Sequence, residues 1–420
     1  MLQRCFSLRE LTIAGQLAEA GPDSGPLPGA MSWQQDRVWQ ALVSELAEFP
    51  GSLRVLEVCG GLSSGTIALA ALLGRNKVSL VGFYDTDLEL RPALAVTHGS
   101  SAVLHVGDSG NILRYTAPQF PDCDIFVAGP PCPPWASMGK RKSFDDKRAG
   151  VFWRAVDIVV HQGQRGQLMF FVFENVEGIL KTPAGAAEAP VKTIVAELQQ
   201  GLPNFIVEVT SANTMDFGLP QRRPRVYIVG RRAALFSRGA PPAARPFAST
   251  VPLGALLRDT RAGPVRLYTP TQRENIADFK RASHRMMASA EFSGQIVAVD
   301  VSRTPSGRTA WAAQAVRPGV VECLTASGPT LHVFSLGEGT GQLTVDRPLV
   351  QRERGLLQGF PEAVCSVNVP EVVAKRMFGN AMSIPVIGSV LARELAALLR
   401  THGALGVAAL LRDLRGEVFC

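Results

Sequence analysis

The residues best suited to chemistry in this chain are a cysteine, a glutamate and a pair of arginines, each placed at the edge of an apolar run. Cys132 stands in Gly129-Pro130-Pro131-Cys132-Pro133-Pro134-Trp135, directly after Ile125-Phe126-Val127-Ala128. Proline fixes φ and donates nothing to a ladder, so a strand must stop there and the chain must turn. Most cysteines are small buried hydrophobes. This one is flanked by two pairs of prolines and followed by Lys140, Arg141 and Lys142, cations that favour a thiolate or hold phosphates. Glu174 follows the almost wholly apolar stretch from Leu168 to Phe173. Burial there raises the pKa of a carboxyl group, leaving it protonated or sharing a proton with a bound base; a satisfied structural glutamate is the other reading. Arg223 and Arg225 lie in a turn that leads into Val226-Tyr227-Ile228-Val229. Arginines in turns are ordinarily surface charges, yet a guanidinium offers fixed donors that suit a base carbonyl.

These groups need elements to carry them. Leu53 to Val58 reads as a strand that runs into Cys59-Gly60-Gly61-Leu62-Ser63-Ser64-Gly65 and then a helical Thr66 to Leu73, a βα unit whose small residues let a ligand approach the backbone. Val78 to Tyr84 is a second strand ending at Asp85, with Asp87 two residues on. An acid at that tip holds ribose hydroxyls or caps a helix; Asp85 is assigned to the ribose and Asp87 to the cap. Ser101 to Val106 makes a third strand before Gly107-Asp108, the run ending at Ala128 a fourth, Leu168 to Phe173 a fifth, and Phe205 to Val209 a further one. Arg148 to His161, Trp33 to Phe49 and Val386 to Leu399 have helical spacing. In an open α/β sheet ligands bind at the carboxyl ends of the strands, where Cys132 and Glu174 both fall.

At 420 residues the chain exceeds one ordinary domain, and 46% hydrophobic with 19% charged residues describes a globular protein. Its net charge of +7 resides wholly in residues 231–350, which hold 15 Lys and Arg against 8 Asp and Glu. That segment is a polyanion-binding module or a solvated basic face. Between Phe247 and Leu343 it offers only short β-like pieces, such as Gln295 to Val301. Seven cysteines without a CxxC pair argue against a zinc site and a disulfide framework. No run approaches the roughly 18 apolar residues of a membrane helix, and Arg9 and Glu10 interrupt any signal-peptide core, so an intracellular protein without membrane or metal is expected.

In order along the chain, these segments resemble the motifs of the cytosine carbon-5 DNA methyltransferases. The nucleophile loop of that family is matched by Pro131-Cys132, Trp135, Gly139-Lys140 and Asp146 with Arg148, although Ala136 stands where many members have Ser. Glu57, Gly60 and Gly61 match the first motif, with Cys59 in place of the usual Phe, and Glu174-Asn175-Val176 matches the second catalytic signature. Gly218, Pro220, Gln221, Arg223 and Arg225 fill a further motif, Thr325 resembles the exit of the variable region, and Gln358-Gly359-Phe360-Pro361 and Gly379 to Pro385 resemble its last two.

The resemblance implies a Rossmann-like class I methyltransferase sheet with helices on both faces plus a smaller target-recognition domain. Residues 1–50 would be an extension with a packing helix, 51–235 the catalytic domain, 236–350 the recognition domain, and 351–420 the return segment. It implies S-adenosylmethionine as cofactor, held by Glu57, Cys59, Gly60, Gly61, Ser63, Asp85, Asp108, Pro130, Asn380 and Ser383. It implies Cys132 as nucleophile, Glu174 at ring nitrogen 3, Arg225 at the carbonyl O2, and Arg223 in the same centre, bracing the loop. Lys140, Arg141, Lys142, Arg148 and Gln221 would meet double-stranded DNA, bound by a monomer in a nucleus or nucleoid. The alternatives are a tRNA cytosine methyltransferase and a catalytically silent DNA-binding homologue; the Cys-Phe-Thr tripeptide of the tRNA branch is absent, since Cys323 is followed by Leu324.

Overall fold

Strands that are apolar on both faces set the centre of the molecule, because each face then needs a layer of helices to cover it. The computed structural model describes residues 31–99, 103–131, 149–236, 241–257, 268–287, 294–302, 316–326, 330–337 and 343–416. Cys132 lies outside them, as do Lys140, Arg141, Lys142 and Arg148. The strands of the main sheet are β1 (Leu53–Val58), β2 (Val78–Asp85), β3 (Leu104–Val106), β4 (Ile125–Ala128), β5 (Phe170–Asn175) and β6 (Phe205–Asn213), and after a short β7 (Gln221–Arg222) comes β8 (Pro224–Arg232). Their order is β3-β2-β1-β4-β5-β8-β6. The first five run parallel, and β8 is antiparallel to both its neighbours.

Period-2 alternation divides the residues of each central strand between two cores. From β4, Ile125 and Val127 join the core with the helices Ser64–Leu73 and Ile384–Arg415, while Phe126 and Ala128 join the one with Ala149–Gln164 and Pro190–Gly201. The sheet is thus the Rossmann-like class I methyltransferase arrangement, with β1 and β4 meeting where the strand order reverses, the usual place for a ligand crevice. An N-terminal helix, Arg37–Leu46, closes the first core: Trp39 meets Gly388 so closely that a methyl group there would lie 2.8 Å from its ring. The stretch Glu371–Arg415 contains a window long and apolar enough to cross a membrane, which reading the sequence did not find. That window is 94% buried, and its apolar residues face the sheet and neighbouring helices. Gly403, at φ 65°, breaks the long helix into two pieces.

The basic region builds a smaller antiparallel sheet of β9 (Ile296–Asp300), β11 (Leu331–Leu336) and β12 (Leu343–Pro348) in the order β12-β11-β9. A helix, Pro270–Met287, lays Phe279 and Ala282 on Val297, Val299, Phe334 and Leu336. The sequence led to the expectation of β-like pieces alone here. The helix escaped it because few apolar residues interrupt PTQRENIADFKRASHRMM, so the 3.6-residue period is faint. Between β9 and β11, β10 (Val321–Glu322) pairs in parallel with β7 and ties this region to the main domain.

Candidate active site

The turn after β1 is organised by one buried carboxylate. Glu57 is fully buried and accepts hydrogen bonds from Ser63 Oγ (2.8 Å), Gly65 N (3.0 Å), Thr66 N (3.2 Å) and Thr66 Oγ1 (2.8 Å). Burial raises its pKa, and those four donors only partly offset that. Glu57 and Ser63 were both expected on the cofactor; their polar atoms instead hold each other and the start of the helix, and so shape the turn. Gly60 must be glycine, because a methyl group there would lie 2.7 Å from the Glu57 side chain. Cys59 (φ 50°) and Ser63 (φ 57°) are left-handed, the two such non-glycine residues among those described, and strain of this kind gathers at functional turns.

Asp85, at the tip of β2, accepts from Gly61 N at 3.1 Å and from Asp87 N at 2.9 Å. Burial pushes its pKa up to about 6. Asp87 caps the next turn through Glu89 N (3.2 Å) and also receives both arms of Arg376, at 2.6 and 2.8 Å, so the return segment grips the same rim. Asp108 follows β3, but its side chain is 87% exposed and ion-paired with Arg114, turned away from the buried carboxylates.

At the neighbouring strand ends the catalytic candidates converge. Glu174 and Arg225 face each other across the antiparallel β5–β8 pair, with Arg225 Nε 3.0 Å from Glu174 Oε1 and both side chains about nine-tenths buried. The carboxyl group therefore has a cation beside it, not an apolar wall alone. A methyl group on Gly129 would lie 3.9 Å from Glu174 Oε2 and 3.0 Å from the Cys59 carbonyl, so the ends of β1, β4 and β5 touch. Asn175 Nδ2 donates to Pro130 O at 3.1 Å and pins the start of the proline turn that carries Cys132.

Two residues expected at the substrate or in catalysis are interior braces. Gln221 is fully buried, donating to Leu357 O (2.8 Å) and accepting from Leu324 N (3.2 Å), so its amide is not at a DNA-facing surface. Arg223, 2% exposed, donates to the carbonyls of Leu324, Gly379 (3.2 Å) and Ala381 (2.7 Å). It is a loop brace, as the resemblance implied. Gln358 adds a bond to Phe378 O at 2.9 Å. Pro130 enters through its carbonyl, Asn380 is exposed, and Ser383 is buried beside Met382, whose Cε would lie 3.0 Å from a methyl group on Gly129.

Asn175, Arg376, Gln358 and Cys323 had no assigned role in the sequence. Asn175 and Gln358 carried a signal, Asn175 in its place directly after Glu174 in a strand-end tripeptide and Gln358 as the first residue of Gln358-Gly359-Phe360-Pro361.

The arrangement has hydrogen-bonding groups suited to a nucleoside. Gly61 is left-handed and 3.6 Å, by its absent methyl group, from Ala381, and Ser64 Oγ and Ser383 Oγ are buried without a hydrogen-bond partner among the described residues. Together with Asp85 these fit S-adenosylmethionine better than a metal, since the set supplies hydroxyls, amides and one carboxylate and no ligand cluster.

Comparison with known proteins agrees with this geometry. Residues 60–395 match the C-5 cytosine-specific DNA methylase family model. The Type II methyltransferase M.NgoBI of Neisseria gonorrhoeae is 29% identical over 295 residues, 69% of this chain and 79% of that protein. M.HpaII of Haemophilus parainfluenzae is 27% identical over 269 residues, 63% of this chain and 69% of that one. In fold, the chain is similar to the Dnmt2 methyltransferase of S. pombe (TM-score 0.52, 17% identity, 83% of this chain and 99% of that) and to EhMeth of Entamoeba histolytica (TM-score 0.53, 14% identity, 84% and 99%). A family match over most of the chain, on a sheet that brings Glu174, Arg225 and the approach to Cys132 to one rim, means that this protein belongs to the C-5 cytosine-specific DNA methylases and is a DNA (cytosine-5)-methyltransferase that uses S-adenosylmethionine.

Proposed function

We propose that the chain methylates carbon-5 of a cytosine turned out of double-stranded DNA, through a covalent bond between Cys132 and carbon-6. The observation that carries this reading is the contact of three strand ends: the Gly129-Pro130 approach to Cys132 lies against Glu174, which faces Arg225 at 3.0 Å. A base whose ring faces are stacked is out of reach of a thiolate, so the target must leave the duplex. Attack of the Cys132 sulfur on carbon-6 breaks the ring's aromaticity and leaves an electron pair at carbon-5. Glu174 holds a proton at ring nitrogen 3 as charge develops, and Arg225 donates to the carbonyl O2. S-adenosylmethionine would supply an electrophilic methyl group, and the Cys59–Ser63 turn, Asp85 and the Asn380–Ser383 segment would hold it. Loss of the carbon-5 proton and of the sulfur at carbon-6 then restores the ring. Lys140, Arg141, Lys142 and Arg148 would meet phosphates.

The test is trapping on a duplex in which 5-fluorocytosine replaces cytosine, because fluorine does not leave as a proton does. A denaturing gel is expected to show a protein–DNA band with the wild type and none with Cys132→Ser. Capture of substituted RNA and not DNA would replace the substrate in this reading with RNA, and no band on either would overturn the covalent step.

A further inference from the structure

Cys323 was given no role by its sequence, yet its sulfur is wedged between the two arginines of the site. Arg225 Nη2 is 3.5 Å and Arg223 Nη1 3.6 Å from Sγ. The place is built. Val321–Glu322 pairs with Gln221–Arg222, Leu324 N donates to Gln221 Oε1, and Gly379 packs so tightly on Thr325 that a methyl group would lie 2.3 Å from its carbonyl carbon. The main chain on both sides of the sulfur is therefore fixed.

Two guanidiniums buried side by side repel, and their desolvation must be offset by nearby anions. The charged or titratable groups facing Arg223 are Arg225, Cys323, Glu174 and Tyr227, and its other acceptors are neutral carbonyls. Glu174 sits on the Nε side of Arg225; Cys323 sits on the Nη side, between the pair. Burial pushes the Cys323 thiol up, but the two guanidiniums more than offset this and leave it below its ordinary value. The acceptor within reach of a neutral thiol is Leu324 O at 3.4 Å, which it would share with Arg223.

We propose that Cys323 is a positioning residue for methyl transfer, its sulfur acting as the anion that holds Arg223 and Arg225 together and so turns Nε of Arg225 toward Glu174. The inference rests on the role given to Arg225 above. It makes the exit of the recognition domain a direct support of the catalytic pair, because Cys323 arrives on the β10 side of that exit.

The experiment compares wild type, Cys323→Ala, Cys323→Ser and Cys323→Asp for methyl transfer to duplex DNA, with cofactor binding and thermal melting measured on each. Aspartate restores a negative charge at similar volume, whereas Ser and Ala restore only space. The expected result is a kcat reduced tenfold or more in Ala and Ser and regained at least threefold in Asp, with cofactor affinity within twofold throughout. Wild-type kcat in Ala, or an Asp variant no faster than Ala, overturns the proposal. Should the variants melt early, the unaltered site gives the answer: in Cys132→Ser protein, iodoacetamide capture of Cys323, located by peptide mapping, is expected to have its pH midpoint below the ~8.5 of a free thiol, and a midpoint at or above that value overturns it. A wild type that transfers no methyl group to DNA would instead defeat the reaction assigned above, while an active wild type with an unimpaired Ala variant defeats only this inference.

Discussion

Asn175→Asp offers a sharp test of how the proposed nucleophile, Cys132, is positioned. The side chain is 2% exposed, and its Nδ2–H donates to Pro130 O at 3.1 Å, while its Oδ1 accepts from Val176 N at 2.9 Å. Aspartate keeps the shape and the acceptor, but it removes the donor and sets a carboxylate oxygen against the Pro130 carbonyl, so the loss of the partner is the smallest cost expected. A buried acceptor left without its partner costs about 1–3 kcal/mol. Pro130 is two residues before Cys132, so the cost is expected at the position of the sulfur. If all of it reaches the transition state, at about 1.36 kcal/mol per tenfold, methyl transfer slows by roughly 5- to 150-fold. The assay is single-turnover transfer of a labelled methyl group alongside the rate of capture on 5-fluorocytosine DNA. Both rates are expected to fall together, with cofactor affinity within twofold. A wild-type capture rate, or a cofactor affinity that weakens as much as the rate, would refute the reasoning, because the bond would then not act through the proline turn.

The same geometry sets two further outcomes. Burial pushes Asp85 up to about 6 from 3.8, so the folded state favours its protonated form; that contribution to stability is complete below about pH 4 and is lost as pH rises through 6. Ribose hydroxyls donate to the ionised carboxylate, so cofactor affinity should rise with pH through 6 and level off above it, weakening toward about tenfold per unit below. Calorimetry from pH 5 to 8 checks this, and a flat wild-type curve would remove Asp85 from the ribose. At Gly379, alanine would place its methyl group 2.3 Å from Thr325 C and 2.4 Å from Ala326 N, backbone atoms that cannot swing aside. Gly379→Ala should lose about 1–3 kcal/mol of stability, the ordinary cost of overpacking, and an unchanged chemical-denaturation midpoint would show that the two segments are not in contact.

Much of this was legible in the sequence, for a physical reason. Strands buried on both faces must be continuous apolar runs, so β1, β4 and β5 stood out, and the residues directly after such a run are delivered to the rim. Period 3.6 gave Arg37–Leu46 and the first part of Ile384–Arg415, Val386 to Leu399, for the same reason, while Pro270–Met287 shows the limit: a helix with one narrow apolar stripe barely modulates its sequence. The site was legible in residue type and not in side-chain direction. Glu57, Ser63 and Gln221 have the polarity of ligand contacts, and only the fold shows that their hydrogen-bonding atoms face inward. Asp108 shows the reverse, an exposed carboxylate held by Arg114, a partner six residues away that no motif contains.

The inward turn of those groups explains how loops can hold a reaction geometry. Loop backbone lacks the ladder that fixes a strand, so its carbonyls and amides must find other partners or remain costly. Here side chains far away in sequence supply them: Arg223 binds the carbonyls of residues 324, 379 and 381, Gln221 that of Leu357, Gln358 that of Phe378, and Asn175 that of Pro130. Each of these bonds joins two segments at least 20 residues apart, and several join the main sheet's loops to the segment that follows the smaller sheet. The position of Arg225 against Glu174 is consequently a property of three distant stretches of chain at once. Fixing those stretches before the substrate arrives removes the cost of ordering them during the reaction, which is how a preorganised site gains its rate.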